Sequence, residues 1–308
     1  MYFPYLYGKS NELHALNELV PFFSEHSSVI PIIEPLNDNK TTLNKLNSLS
    51  EAEIPYIFII NPQNGDLKEE AEKIDELLSE LVLANVSLGY CITTETTHNN
   101  LQKLFNDYSS DNFTFIHQSS PNTDVDEIIN TMNENMGKID YQVFMDEQVS
   151  ELYKRHFSNY KRVLMRDSFK KASKNAEFPN QSYFTDLHIT YRPEYDGFGD
   201  FQMVGKELSE SGGPAHAVAL HLTTQLPTKE IVIQHFVSDD TEGAENPGGK
   251  YLQAVAKLVK FMDTNSYFKE TKGSKDFRDT HERKHYPGLG MAKRFSIKHH
   301  IELLAQKL

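Results

Sequence analysis

The sequence holds one cysteine and no apolar run long enough to cross a bilayer. Cys91 alone cannot form an internal disulfide, which fits a reducing compartment. Its neighbours Leu88, Gly89, Tyr90 and Ile92 read as a buried strand carrying an inert thiol. No stretch reaches the roughly 18 apolar residues of a membrane span. The opening MYFPYLYGKS lacks the basic-then-apolar order of a signal peptide, so a cytoplasmic location is expected. Positive charge is scarce too. Lys and Arg number 31 against 44 Asp and Glu, and the net charge of −13 argues against non-specific binding to nucleic acid or an anionic membrane. With a single cysteine there is no CxxC. Ser209–Gly213 is glycine-rich but lacks GxSxG, so Ser211 is not read as a nucleophile.

The charge is uneven. Residues 269–308 carry ten Lys/Arg, five Asp/Glu and four histidines, which leaves about −18 for the rest by subtraction. A basic tail on an acidic body serves as an anion site or a partner interface, or it docks on that body.

The dominant pattern is a short apolar run, a polar residue, then an amphipathic stretch. Strands are predicted at 2–7, 29–33, 56–60, 87–92, 113–117, 141–145 and 162–165, each followed by a helical segment. Seven βα units in a row predict an α/β fold, a (β/α)8 TIM-like barrel, as one domain over 1–308. A doubly wound sheet is the main alternative, but GKSNEL lacks its phosphate-turn glycines. The seven units occupy 1–167. Residues 168–308 are expected to close the barrel and to add a β-hairpin and C-terminal helices, ending in a basic one. Within them, 215–223 and 230–238 read as the eighth strand plus an antiparallel addition.

Barrels collect function at the C-terminal strand ends. Here those ends are Lys9, Glu34, Asn61, Glu95, His117, Asp146 and Asp167. Loop starts are polar anyway, so several of these are expected to be ordinary. Glu34 lies inside an apolar run and needs a partner, and Lys9 is the expected one, as a buried ion pair or a catalytic pair. Asp196 and Asp200 bracket Gly197-Phe198-Gly199. They read as solvated turn residues, as an acid/base pair, or as ligands for a hard cation, so the expected cofactor, if there is one, is a divalent metal. His221 and His235 lie on apolar strands, as core residues or as a pair that meets. Pro287-Gly288-Leu289-Gly290 opens a helix bearing Lys293 and Arg294, which suits phosphate or a surface turn.

Four segments, YFPYLYGKSNELHAL, IPIIEP, GFGDFQMVG and YPGLGMAKRFSIKHHIEL, resemble the bacterial and phage "beta protein" family, in a branch known only by a locus-style label. The resemblance implies a single barrel-like domain and a defence or mobile-element setting, often with a partner encoded nearby. Its motif positions are Lys9, Glu12, Glu34, Asp200, His221 and His235, and it assigns no role to any of them. The expected function is a hydrolase or phosphotransfer-type enzyme on a small anionic or nucleotide-like ligand. Glu34, Asp167, Asp200 and His221 would be catalytic. Lys9, Asn61, Arg166, His235, Gly288, Gly290, Lys293 and Arg294 would bind substrate. The alternative is a non-catalytic binding or regulatory subunit of a two-protein antiviral defence system.

Overall fold

A computed structural model describes residues 1–208 and 216–308. The glycine-rich stretch read at Ser209–Gly213 therefore lies outside the described residues. Seven strands follow the predicted rhythm: β1 Tyr2–Leu6, β2 Ile32–Ile33, β3 Tyr56–Ile59, β4 Val86–Ile92, β5 Phe113–His117, β6 Ile139–Met145 and β7 Arg162–Arg166. Helices α1 Ser10–Glu18, α2 Val20–Phe23, α3 Lys40–Glu51, α4 Ala71–Glu80, α5 His98–Asp107, α6 Val125–Glu134 and α7 Glu151–Arg155 lie between or after them.

Past β7 the chain forms β8 Gln181–Thr185, the short helix α8 Leu187–Thr190 and β9 Gly197–Asp200. β9 is the eighth barrel strand, pairing in parallel with β7 on one side and β1 on the other. This corrects the expectation that 215–238 would close the barrel. Those residues form β10 Ala219–Gln225 and β11 Ile231–Val237, an antiparallel hairpin that joins β8 in a separate three-stranded sheet.

Gly197 and Gly199 explain why β9 fits. A Cβ on Gly199 would stand 2.3 Å from the Phe3 carbonyl oxygen and 2.4 Å from the Met165 methyl, and one on Gly197 would stand 2.6 Å from the Phe3 ring. The glycines leave room for large side chains that fill the barrel, so they serve packing and not the approach of a ligand. Asp196 and Asp200 consequently sit at opposite ends of a strand, one exposed and one buried, and form no joint site.

Three C-terminal helices follow: α9 Pro247–Thr264, α10 Lys272–Glu282 and α11 Leu289–Ala305. Val218, Leu220, Leu222 and Phe236 meet α9 residues Tyr251, Val255 and Leu258 in a second apolar core beside that of the barrel. The basic helix α11 is no surface element: twelve of its seventeen residues are buried. It wedges between α1, α10 and β10, and its cations find carboxylates there. Arg294 pairs with Glu18 at 2.8 Å, and Lys298 pairs with Glu18 and Asp276. The tail does dock on an acidic body, but as part of the interior.

Two helix starts lack a side-chain cap. Lys9 is the residue before α1 and makes no cap bond. Asp124 precedes α6 in a left-handed conformation, φ 57°, again without a cap bond.

Candidate functional site

The alternation of β1 turns Tyr5 inward, and Tyr7 follows it at the barrel's C-terminal mouth. There they meet Glu34, just past β2, and a cavity of about 400 Å³ also lined by Gln63, Gln118, Gln148, Phe201 and Lys206. Glu34 is completely buried. Its carboxylate accepts the Tyr5 hydroxyl at 2.6 Å, the backbone N–H groups of Gln63 at 2.6 Å and Asn64 at 2.9 Å, and the Asn64 amide at 3.1 Å. The expected Lys9 partner is replaced by neutral donors, because Lys9 has turned out of the mouth into the start of α1. Burial, reinforced by Glu34, pushes the Tyr5 phenol well above its ordinary pKa, so it stays a donor.

Lys206 supplies the mouth's positive charge. Its ammonium donates to Gln148, its carbonyl accepts the Tyr7 hydroxyl, and its N–H donates to Asp167 at 2.9 Å. Burial lowers its pKa, against the pull of Asp167, Cys91 and Glu34. Asp167 is thus an exposed clamp on this segment, also accepting the Phe169 N–H at 3.3 Å. Cys91 is buried and its thiol is pushed well above its usual range, chiefly by burial, as expected of an inert core residue.

Residues 201–208 form a partition. Phe201 and Lys206 face the mouth, while Met203 and Val204 line a second cavity of about 490 Å³ on the other side. That cleft lies between the barrel and the β10–α11 layer. Lys9, Lys171 and Lys293 open onto it, with Phe169, Phe178 and His221 as walls. His221 and His235 are opposed across β10 and β11 and meet at 2.8 Å between their Nδ1 atoms. His235 Nε2 reaches the Ser182 hydroxyl at 2.8 Å. Burial, then His235 and Lys293, lowers the His221 pKa to about 3, and burial lowers that of His235 to about 4. The pair is neutral at pH 7, with one ring donating and the other accepting.

The remaining candidates are structural. Asn61 clips β4, donating to the Cys91 carbonyl at 3.0 Å and accepting its N–H at 2.7 Å. Arg166 pairs with Asp146 at 2.7 Å and Asp186 at 3.4 Å, beside a third cavity of about 330 Å³. Gly288 precedes α11 at φ 91°, and a Cβ on Gly290 would strike Asn11 at 2.4 Å. Arg294 donates to Asn11 at 2.7 Å in addition to Glu18, so it is not free for an anion. His117 faces away from the mouth, bonded to Gln142 at 2.6 Å and Tyr153 at 3.1 Å, and Glu95 lies exposed in a turn.

Asp200 also points outward. It accepts the Tyr2 hydroxyl at 2.9 Å and meets His300 Nε2 at 3.1 Å, while His300 Nδ1 meets the Thr223 hydroxyl at 3.1 Å. The order acid, histidine, hydroxyl is that of a hydrolytic triad. Yet exposure is 2% for Asp200 and zero for His300 and Thr223, so no substrate reaches it. It fastens α11 and β10 to the barrel. Its neighbour His299 points elsewhere, to Thr271 at 2.7 Å and the Thr223 carbonyl at 2.7 Å.

The four residues expected to be catalytic are therefore dispersed: Glu34 in the mouth, Asp167 at the partition, Asp200 in the interior and His221 in the cleft. Among the described residues, no three His, Cys, Asp or Glu side chains gather as metal ligands. Tyr5, Tyr7, Gln63, Gln118 and Gln148 were missed in the sequence. Only the Phe3-Tyr5-Tyr7 alternation signals any of them, since amides in loops carry no pattern.

Fold and site together define a (β/α)8 barrel with a polar mouth and a cationic side cleft. No protein-family model matches the chain, and no curated protein or solved structure matches it. No helix among the described residues is long and apolar enough to cross a membrane.

Proposed function

We propose that the protein is a barrel enzyme of the hydrolase or phosphotransfer kind, acting at its mouth on a small anionic, nucleotide-like substrate in the cytoplasm. The observation that carries this reading is the convergence of Lys206, two tyrosines and three glutamines on one cavity at the end where barrel enzymes work. Lys206 holds the anion or passes a proton, since its lowered pKa makes the neutral amine more accessible. The glutamines offer paired donors and acceptors that suit the edge of a base or sugar. Glu34 is a positioning residue: its acceptor capacity is spent on Tyr5 and the 63–64 backbone, which it holds at the cavity wall.

The test is phosphate release from a panel of nucleoside phosphates and phosphomonoesters. Turnover that Lys206→Met abolishes while the fold persists supports the enzyme. Binding of a panel member at the mouth with no turnover supports the second reading, a non-catalytic subunit of a two-protein defence system with a partner encoded nearby. The dispersal of the four acid/base candidates favours that second reading. The beta protein resemblance supports the defence setting for either.

A further inference from the structure

The cations of the outer layer fall into two groups. Lys250, Arg294 and Lys298 are largely buried, and each is matched by carboxylates or carbonyls. Lys9 and Lys293 are not. Among the described residues neither makes an ion pair nor a side-chain hydrogen bond, although both open onto the same cleft as Lys171. Among the described residues Lys171 donates only to the Glu207 carbonyl.

One carboxylate stands behind them. Glu12 is buried to 1% exposure, with one oxygen accepting the Tyr7 N–H at 2.7 Å. The other oxygen has no partner among the described residues. Burial raises the Glu12 pKa, and Lys293 and Lys9 oppose that rise. Burial lowers the pKa of Lys293, opposed by Glu12 and reinforced by Lys9 and Lys171. These mutual influences place the three ammonium groups and Glu12 in one electrostatic neighbourhood. Among the described residues the cleft is lined by these three lysines and by no carboxylate, in a chain whose net charge is −13.

Apart from Asn175, His221 and Ser296, the rest of the cleft is apolar and aromatic. Phe178 stacks on His235 at 4.7 Å between ring centroids, meets His221 edge-on at 4.7 Å and lies 6.0 Å from Phe169. Val218, Leu220 and Leu289 continue the wall. A bare inorganic anion would leave most of about 490 Å³ unfilled. A purely apolar ligand would leave the lysines without a counter-charge.

We propose that this cleft is a second ligand site, separate from the mouth, for an amphipathic anion: a phosphate or carboxylate head on an aromatic body. The head meets Lys9, Lys171 and Lys293, and the ring lies along Phe169 and Phe178. The neutral His221–His235 pair adds a polar contact without adding charge. The site does not depend on any chemistry at the mouth.

Isothermal titration with phenyl phosphate, benzoate, inorganic phosphate and benzyl alcohol tests it. Phenyl phosphate is expected to bind most tightly, and the neutral alcohol and the bare phosphate each to bind about tenfold or more weaker. Benzoate decides which head group the lysines prefer, and its binding within about tenfold of phenyl phosphate keeps the carboxylate as a natural head. Added salt should weaken both anions. Combined Lys9→Met and Lys293→Met should weaken by about tenfold or more the phenyl phosphate binding event that shifts His221, and that event should persist in Lys206→Met, which removes only binding at the mouth. Ring-nitrogen NMR of unaltered protein should show His221 shifting with ligand, a readout independent of how the variants fold. The proposal is overturned if phenyl phosphate fails to bind by about 1 mM. It is equally overturned if binding is lost in Lys206→Met but kept in the double variant, or if the His221 signals stay still at saturation.

Discussion

The mouth and the lysine cleft lie on two sides of residues 201–208 and treat charge in opposite ways. In the mouth, Glu34 is surrounded by donors from Tyr5, Gln63 and Asn64. In the cleft, Lys9 and Lys293 face open space with Glu12 behind them. A satisfied buried charge holds a structure together, and an unpaired charge that solvent reaches at a cavity wall is available to a ligand. The contrast predicts that the mouth's charged residue is costly to remove and that the cleft's lysines are not.

Acidification should give the largest effect and reach beyond both regions. Burial lowers the pKa of His117, His235 and His299 to about 4 and that of His221 to about 3, from an ordinary 6.5. The unfolded chain takes up these protons first, so the stability they carry is complete above pH 6.5 and is lost as pH falls from there towards 4 and 3. Thermal melts between pH 7 and pH 4 should show a steep decline. Replacing His221 and His235 by Gln should flatten it, whereas Lys206→Met should leave its slope alone.

Glu34→Ala comes next. It strands a phenol and two backbone N–H groups in the interior, at a cost of about 3 kcal/mol or more. Denaturant melts check this, and a loss under about 1 kcal/mol would remove the distinction between the two regions. Gly199→Ala drives a methyl into the Phe3 carbonyl and Met165 and should cost about 1–3 kcal/mol. Asp200→Asn weakens the fastening to Tyr2 and His300 by about 1–2 kcal/mol without touching either cavity, so ligand binding at both should persist. The smallest effect is expected from Lys9→Met with Lys293→Met, about 1 kcal/mol or less, since Glu12 keeps the Tyr7 N–H when it loses the two cations.

The barrel was legible because seven apolar runs alternate with amphipathic stretches, and that periodicity is local. Its eighth strand was not. Gly197-Phe198-Gly199-Asp200 has the composition of a turn, and its glycines are explained only by Phe3 and Met165, far away in sequence. The alternating runs at 215–223 and 230–238 are better strands by local criteria, yet they pair with β8 and not with the barrel. Glu34 was found because a carboxylate in IPIIEP demands compensation. Its partner was misassigned because adjacency of strand ends does not reveal that Tyr5 faces inward while Lys9 leaves with α1. The meeting of His221 and His235 was foreseeable from two strands joined by a short turn. Their lysine neighbours were not, because Lys171 and Lys293 arrive from segments more than a hundred residues apart.

The seam of the barrel sets an order of assembly. Tyr2 pairs with Phe198 and Pro4 with Asp200, so the first strand must wait for nearly two hundred further residues before its second edge is covered. During synthesis β1 therefore remains an open strand edge while β2 to β7 emerge. The fastening through Tyr2, Asp200 and His300 cannot form until α11 has been made. Such a topology puts the slow, long-range step last, and a nascent chain stalled before residue 197 would expose an unpaired parallel edge. Pulse-labelled chains released on either side of that point should differ sharply in protease resistance.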